Sequence, residues 1–247
     1  MRNQWILATA STVAFAGAAH GASAPPVFSW TGFYVGGNIG GASHDATTHD
    51  VSGWGSSSTP SYVTPWFNSN NSNLSFGSQV GYNWQVSSFV FGAEADVTYI
   101  GASSTFIPAN SVHTNCGTNC GVSATNELTW VSTFRGRAGV AFDRFLVYAT
   151  GGLAVGHVNN HWGWGFQGFS DSQFDSSENR AGYVFGGGIE AMLAPNWTVR
   201  AEAMHIDLGT SRSTISGQPA CCQPVGLFTT EFKNTANIGR VAFSYRW

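Results

Sequence analysis

Eight charged side chains recur on the polar faces of alternating segments: Glu94, Asp96, Glu190 and Glu202 against Arg135, Arg137, Arg200 and Arg240. Four acids matched by four bases can do one of two things inside a narrow interior. They can pair into a neutral network, because a lone buried charge costs several kcal/mol. Alternatively, they can line a gate or narrow pore. Glu94 and Asp96 lie on the segment preceding that of Arg135 and Arg137, so these four are expected to meet. Arg200 and Glu202 stand between Glu190 and Arg240 along the chain. The expected outcome is a charge-neutral plug.

The other reactive residues lie in polar stretches. Cys116 and Cys120 enclose Gly-Thr-Asn, and Cys221 and Cys222 are adjacent. A loop disulfide suits an oxidising compartment, and three pairings are open to four cysteines. His113 precedes Cys116 by three residues, but that spacing fits no common zinc pattern, so no metal is expected. His161, Trp162 and Trp164, with Phe166, Phe169 and Phe174 nearby, offer an axial ligand and an apolar surface for haem or another hydrophobic ligand. The same aromatics would equally serve as a contact surface. His205 and Asp207 share a face, yet no Gly-x-Ser-x-Gly motif and no sequence-adjacent serine supplies a nucleophile, so no enzyme is expected. Gly36-Gly37-Asn38-Ile39-Gly40-Gly41 lies inside a strand with no helix after it, which excludes a dinucleotide loop. No cofactor is expected.

The elements that position these residues are strands. From Leu74 to Val86, Leu74, Phe76, Val80, Tyr82, Trp84 and Val86 share one face, and Ser75, Gly77, Gln79, Gly81, Asn83 and Gln85 share the other. Only a period of two separates them this way. Phe89–Tyr99 repeats the pattern after Ser87-Ser88, which marks a tight hairpin. Six further strands follow the same rule: Gly32–Ala42, Leu128–Phe142, Phe145–Val158, Ala181–Leu193, Trp197–Ile206 and Ile238–Trp247. Short connections at Ser87-Ser88, Asp143-Arg144 and Ala194-Pro195-Asn196 alternate with four long ones, near 43–73, 101–127, 159–180 and 207–233. Structureless loops this long are unusual in a compact soluble domain, but they are ordinary on the outer side of a membrane barrel.

Composition agrees. Of 247 residues only 9% are charged, against about 25% in typical globular proteins. A single lysine, Lys233, and a formal net charge of −3 disfavour nucleic-acid binding. Residues 1–23 read as a secretory signal peptide: Arg2 is followed by an apolar stretch too short to span a membrane, then by small residues. The remainder, 24–247, reads as one domain. Aromatics recur at strand ends (Phe33, Trp84, Phe89, Tyr99, Trp130, Phe142, Trp197 and Trp247), as interfacial girdles require. The expectation is an all-β fold, an eight-stranded antiparallel transmembrane β-barrel with short periplasmic turns and long external loops.

The stretch Trp30-Thr31-Gly32-Phe33-Tyr34-Val35-Gly36-Gly37-Asn38 resembles the first strand of the small outer-membrane immunogenic proteins of alphaproteobacteria, grouped with opacity-type and outer-membrane-protein-A-type barrels. The resemblance recurs at Gly92–Asp96, Tyr148–Ala154 and Trp197–Glu202, and covers the strands but not the loops. Alternating Phe243, Tyr245 and a terminal Trp247 resemble the signal read by the barrel assembly machinery. The resemblance implies a Gram-negative outer-membrane location, antigenic surface loops, lipid and the assembly machinery as partners, and no shared catalytic residues. Some such proteins are porins and some bind haem. His205 stands where many relatives carry an aromatic residue. A monomer is the working expectation, and the role expected is envelope structure and surface display over a closed lumen. A narrow porin is the alternative, and a loop-based haem receptor a third.

Overall fold

A computed structural model describes residues 29–50, 67–106, 120–166, 169–217 and 226–247. The chain forms eight antiparallel strands: β1 (Gly32–Asp50), β2 (Phe67–Val86), β3 (Phe89–Phe106), β4 (Cys120–Phe142), β5 (Phe145–Phe166), β6 (Phe169–Ala194), β7 (Trp197–Gly217) and β8 (Gly226–Arg246). Each pairs with the next, and β1 pairs with β8, which closes the barrel and leaves no open edge. Ser87 and Asp143, which begin two of the three two-residue turns, take positive φ values of 56° and 51°; the third turn is Pro195-Asn196, with Ala194 still in β6. No helix among the described residues is long and apolar enough to cross a membrane, a test that does not bear on strands.

The strands run from 18 to 26 residues, about twice the 9–11 that cross a bilayer. The expected strand limits therefore fall short at the outer ends. Much of each stretch read as a long loop continues the ladder: β1 reaches Asp50 rather than Ala42, and β5 reaches Phe166 rather than Val158. The physical reason is that both faces of these extensions lack lipid. Backbone pairing persists there, while the apolar alternation that marks a strand in a sequence is lost. Two of the extensions are offset by bulges. Gly101 and Gly209 take φ values of +57° and +73°, where a side chain would be strained, and the register shifts at both places.

The outward face carries the aromatic and aliphatic side chains. Phe33, Trp84, Phe89, Tyr99, Phe142, Trp197 and Trp247 are all exposed, and Trp130 is half-buried. Tyr245 packs edge-on between Trp197 and Trp247, and Phe243 points outward beside them. In water this surface would be untenable; against lipid it is the expected one.

Candidate functional site

Alternation along β3, β4, β6, β7 and β8 turns all eight charges inward, and every one is buried. Register sets the first contacts. Glu94 faces Arg135 across β3–β4, and Glu202 faces Arg240 across β7–β8. Arg135 bonds Glu94, reaches Asp96 Oδ2 at 2.9 Å and crosses the lumen to Glu202 Oε1 at 3.1 Å. Arg240 donates from Nε to Glu202 Oε2 at 2.8 Å and from Nη1 to Asp96 Oδ1 at 3.2 Å.

Two pairs depart from nearest-neighbour expectation. Arg137 lies on the strand beside Glu94, but its close partner is Glu190 Oε2 on β6, at 2.6 Å; Glu94 is 3.9 Å away. Arg200 faces Glu190 across β6–β7, yet it forks onto Glu94 on the far wall, with Nη2 2.9 Å from Oε1. Both exchanges run across the lumen because a narrow barrel brings opposite walls within one arginine's reach. The belt is thereby tied from β3 and β4 to β6, β7 and β8.

Two tyrosines complete it. Tyr34 donates to Glu94 Oε2 at 2.6 Å, and Tyr148 to Glu202 Oε1 at 2.8 Å. The Arg137 guanidinium lies 3.9 Å from the centroid of the Tyr148 ring. Glycines make the room: a Cβ at Gly81 would meet the Tyr34 hydroxyl, and one at Gly188 the Tyr148 hydroxyl. The inward parity of both tyrosines is readable in the sequence, but their partners are not.

The belt is capped at both ends by apolar side chains that also point inward. Toward the outside, Ile100, Leu128, Val131, Val158, Val184, Ile206, Leu208 and Ile238 form a buried cluster. Toward the periplasm, Trp30 packs with Val90, Leu146, Tyr148 and Met192. The Trp30 backbone N–H donates to Gln85 Oε1 at 2.7 Å, and Arg246 lies over its ring, 5.5 Å from the centroid, while bonding the Ser29 carbonyl. The interior is therefore stratified, with the expected charge plug between two apolar layers that the sequence reading did not include. Above the outer apolar cluster, His44 meets Asn234 at 3.3 Å, and Asn126 donates to Asn160 at 2.6 Å.

The remaining candidate residues fall elsewhere. His161 is on the outward face of β5, with Nδ1 2.7 Å from Asp175 Oδ1. Trp162 and Trp164 follow on the same strand, their side chains outside the described residues. Cys116, Cys221 and Cys222 lie outside the described residues, as does the side chain of Cys120, which begins β4. His205 and Asp207 take separate partners. His205 Nδ1 meets Asn237 Oδ1 at 2.8 Å, whereas Asp207 accepts from Gly209 N at 2.7 Å and from the Tyr183 hydroxyl at 3.3 Å. Sequence reasoning did not connect His157 with residues on β6. Its Nδ1 is 2.8 Å from Asn179 Oδ1, and Ser177 Oγ is 3.2 Å from its Nε2.

A closed barrel with an apolar belt outside and paired charges within defines the class of outer-membrane β-barrels. Residues 7–222 match the model of the outer membrane protein β-barrel domain, and the chain belongs to that family. It is 32% identical over 184 residues to a 22 kDa outer membrane protein of Rhizobium leguminosarum bv. viciae, an alignment covering 74% of this chain and 66% of that relative, just under two thirds of its length. It is 33% identical over 201 residues to a 31 kDa outer-membrane immunogenic protein of Brucella melitensis, covering 76% and 75% of the two chains. These names state location and immunogenicity and no reaction. The fold is shared with the outer membrane protease OmpT of Escherichia coli (TM-score 0.53, 8% identity, covering 92% of this chain and 99% of that one) and with OprG of Pseudomonas aeruginosa (TM-score 0.52, 12% identity, 89% and 98%). At those identities only the fold carries over. The protein is an outer-membrane β-barrel of a Gram-negative bacterium.

Proposed function

We propose that the protein is an envelope-structural barrel that displays its extended strands and loops outside the cell, and that its lumen does not conduct. One observation carries this reading: the charge belt is sandwiched between two apolar layers. An ion entering from either side meets a dehydrated segment before it reaches a compensating charge, and in the belt the charges already compensate one another. The immunogenic relatives favour display of the external part. Further parts of the reading are a signal peptide over residues 1–23, recognition of Phe243, Tyr245 and Trp247 by the barrel assembly machinery, a lipid-embedded monomer, and no nucleic-acid partner. A liposome-swelling assay tests closure. Vesicles carrying the refolded barrel should swell in small sugars no faster than empty ones, and rapid swelling would favour the narrow-porin alternative. Brief protease treatment of intact cells tests display: cleavage should fall beyond the membrane-spanning part of the strands and leave the barrel whole.

A further inference from the structure

Outside the lumen, one cluster of nucleophilic and basic groups takes no part in closure. Ser177 Oγ lies 3.2 Å from His157 Nε2, and His157 Nδ1 lies 2.8 Å from Asn179 Oδ1. This is the order of nucleophile, base and orienting group used in acyl transfer. Register builds it: His157 faces Asn179 across β5–β6, and Ser177 faces Asn159 two pairs further out, the next on the same face. All three project from the outer wall, because they share the parity of the lipid-facing residues below them. On its other side His157 stacks parallel to Trp130, with 5.9 Å between ring centroids. With Asn179 presenting its carbonyl oxygen, the pair is satisfied by a proton on His157 Nδ1. That tautomer leaves the Nε2 lone pair facing the Ser177 hydroxyl.

Position suggests the substrate. The outward residues of β5 from Phe145 to Val155 are apolar or glycine, and His157 is the first polar one. At about 2.5 Å of height per tilted residue, His157 stands roughly 30 Å above the periplasmic turn, at the outer edge of the hydrocarbon layer. On β6, the outward residues from Leu193 back to Ala181 are likewise free of charge, and Asn179 follows them. The acyl esters of outer-leaflet lipids lie at this level, and their chains would cover the site from below.

We propose that Ser177, His157 and Asn179 form a hydrolytic site for acyl esters of outer-leaflet lipids. This goes beyond the closed-lumen reading and does not depend on it. Ser177 Oγ bonds to the ester carbonyl carbon while its proton passes to His157 Nε2. The carbon–alkoxy bond then breaks, and His157 returns the proton to the departing alcohol. Water, activated by the same imidazole, cleaves the acyl-serine to a free fatty acid and restores the hydroxyl. Asn159 stands opposite Ser177 and directs Nδ2 to Thr129 Oγ1 at 3.3 Å. Ser177 is the nucleophile and His157 the base; Asn179 is a positioning residue.

The full chain, refolded in detergent and checked for heat-modifiable gel mobility, should react with a fluorophosphonate probe at Ser177, located by peptide mass spectrometry. It should hydrolyse p-nitrophenyl octanoate and release fatty acid from phosphatidylethanolamine vesicles. Ser177→Ala and His157→Ala should lower both rates by on the order of a hundredfold. Asn179→Ala should lower them and shift the pH profile, while Asn179→Asp restores them. A folded barrel that leaves Ser177 unlabelled, or a Ser177→Ala variant as fast as the unmodified protein, would overturn the site. Hydrolysis of the soluble ester without fatty-acid release from vesicles would overturn the lipid assignment.

Discussion

The charge belt and the apolar cluster above it close the same tube by opposite means. In the belt, Arg135 is buried with three carboxylates, and each bond replaces water that the group has lost. In the cluster, Leu128 and Ile206 lose their water outright and need no particular partner. The first arrangement is specific and intolerant; the second is forgiving and generic. The difference teaches that a small barrel can be sealed redundantly, and that removing one seal need not open it.

Breaking the belt should have the largest effect. Arg135→Ala leaves Glu94, Asp96 and Glu202 short of a partner, and should cost about 3–5 kcal/mol in urea unfolding from lipid vesicles. Breaking the cluster should cost somewhat less. Leu128→Ala should lose about 3 kcal/mol, since the side chain is fully buried and the wall around it is backbone-constrained. Neither change alone should create conductance, because the other layer stays in place.

A finer contrast comes from coupling. Glu202→Ala and Arg240→Ala remove two ends of one close contact, so their combined cost should fall short of the sum by about 0.5–3 kcal/mol. Pairs drawn from the apolar cluster but not in contact should instead add. Additivity within the belt would mean that its bonds act singly rather than as a network.

Much of this division was legible in the sequence, and the rest was hidden for definite reasons. The parity of Glu94, Asp96, Arg135 and Arg137 assigns them to one face and the apolar side chains to the other; the expected export signal, the small residues of the polar faces and the strand-end aromatics, rather than the alternation, assign lipid to the apolar face. The meeting of Arg135 with Glu94 and Asp96 was legible from neighbouring strands, but the cross-lumen partners were not, because Arg137–Glu190 and Arg200–Glu94 span the tube and depend on its diameter. The cluster was hidden for another reason. Val131, Val158 and Ile206 are inward residues near the outer ends of the expected strands, and apolar side chains there look the same as lipid-facing ones. Ser177 is twenty residues from His157 in the chain, so only the β5–β6 register brings them together.

The smallest expected effect lies above the cluster. Burial holds the His44 imidazole below the usual histidine range, against the opposing pull of its Asn234 contact and of Asp45. A histidine that is neutral when folded and more basic when unfolded favours the unfolded state as pH falls. Its contribution is complete above about 6.5 and is lost between there and its lower folded value. The His44→Asn variant should therefore lose less stability than the unmodified protein when unfolding midpoints are compared at pH 7 and pH 5.

Single-channel recording in a planar bilayer tests the central claim most directly. The refolded barrel, with closure verified by gel mobility, should be silent at both polarities. A variant combining Arg135→Ala and Leu128→Ala with Trp30→Ala in the periplasmic layer should be the first to show current. Stable, ion-dependent steps from the unmodified protein would contradict a sealed lumen.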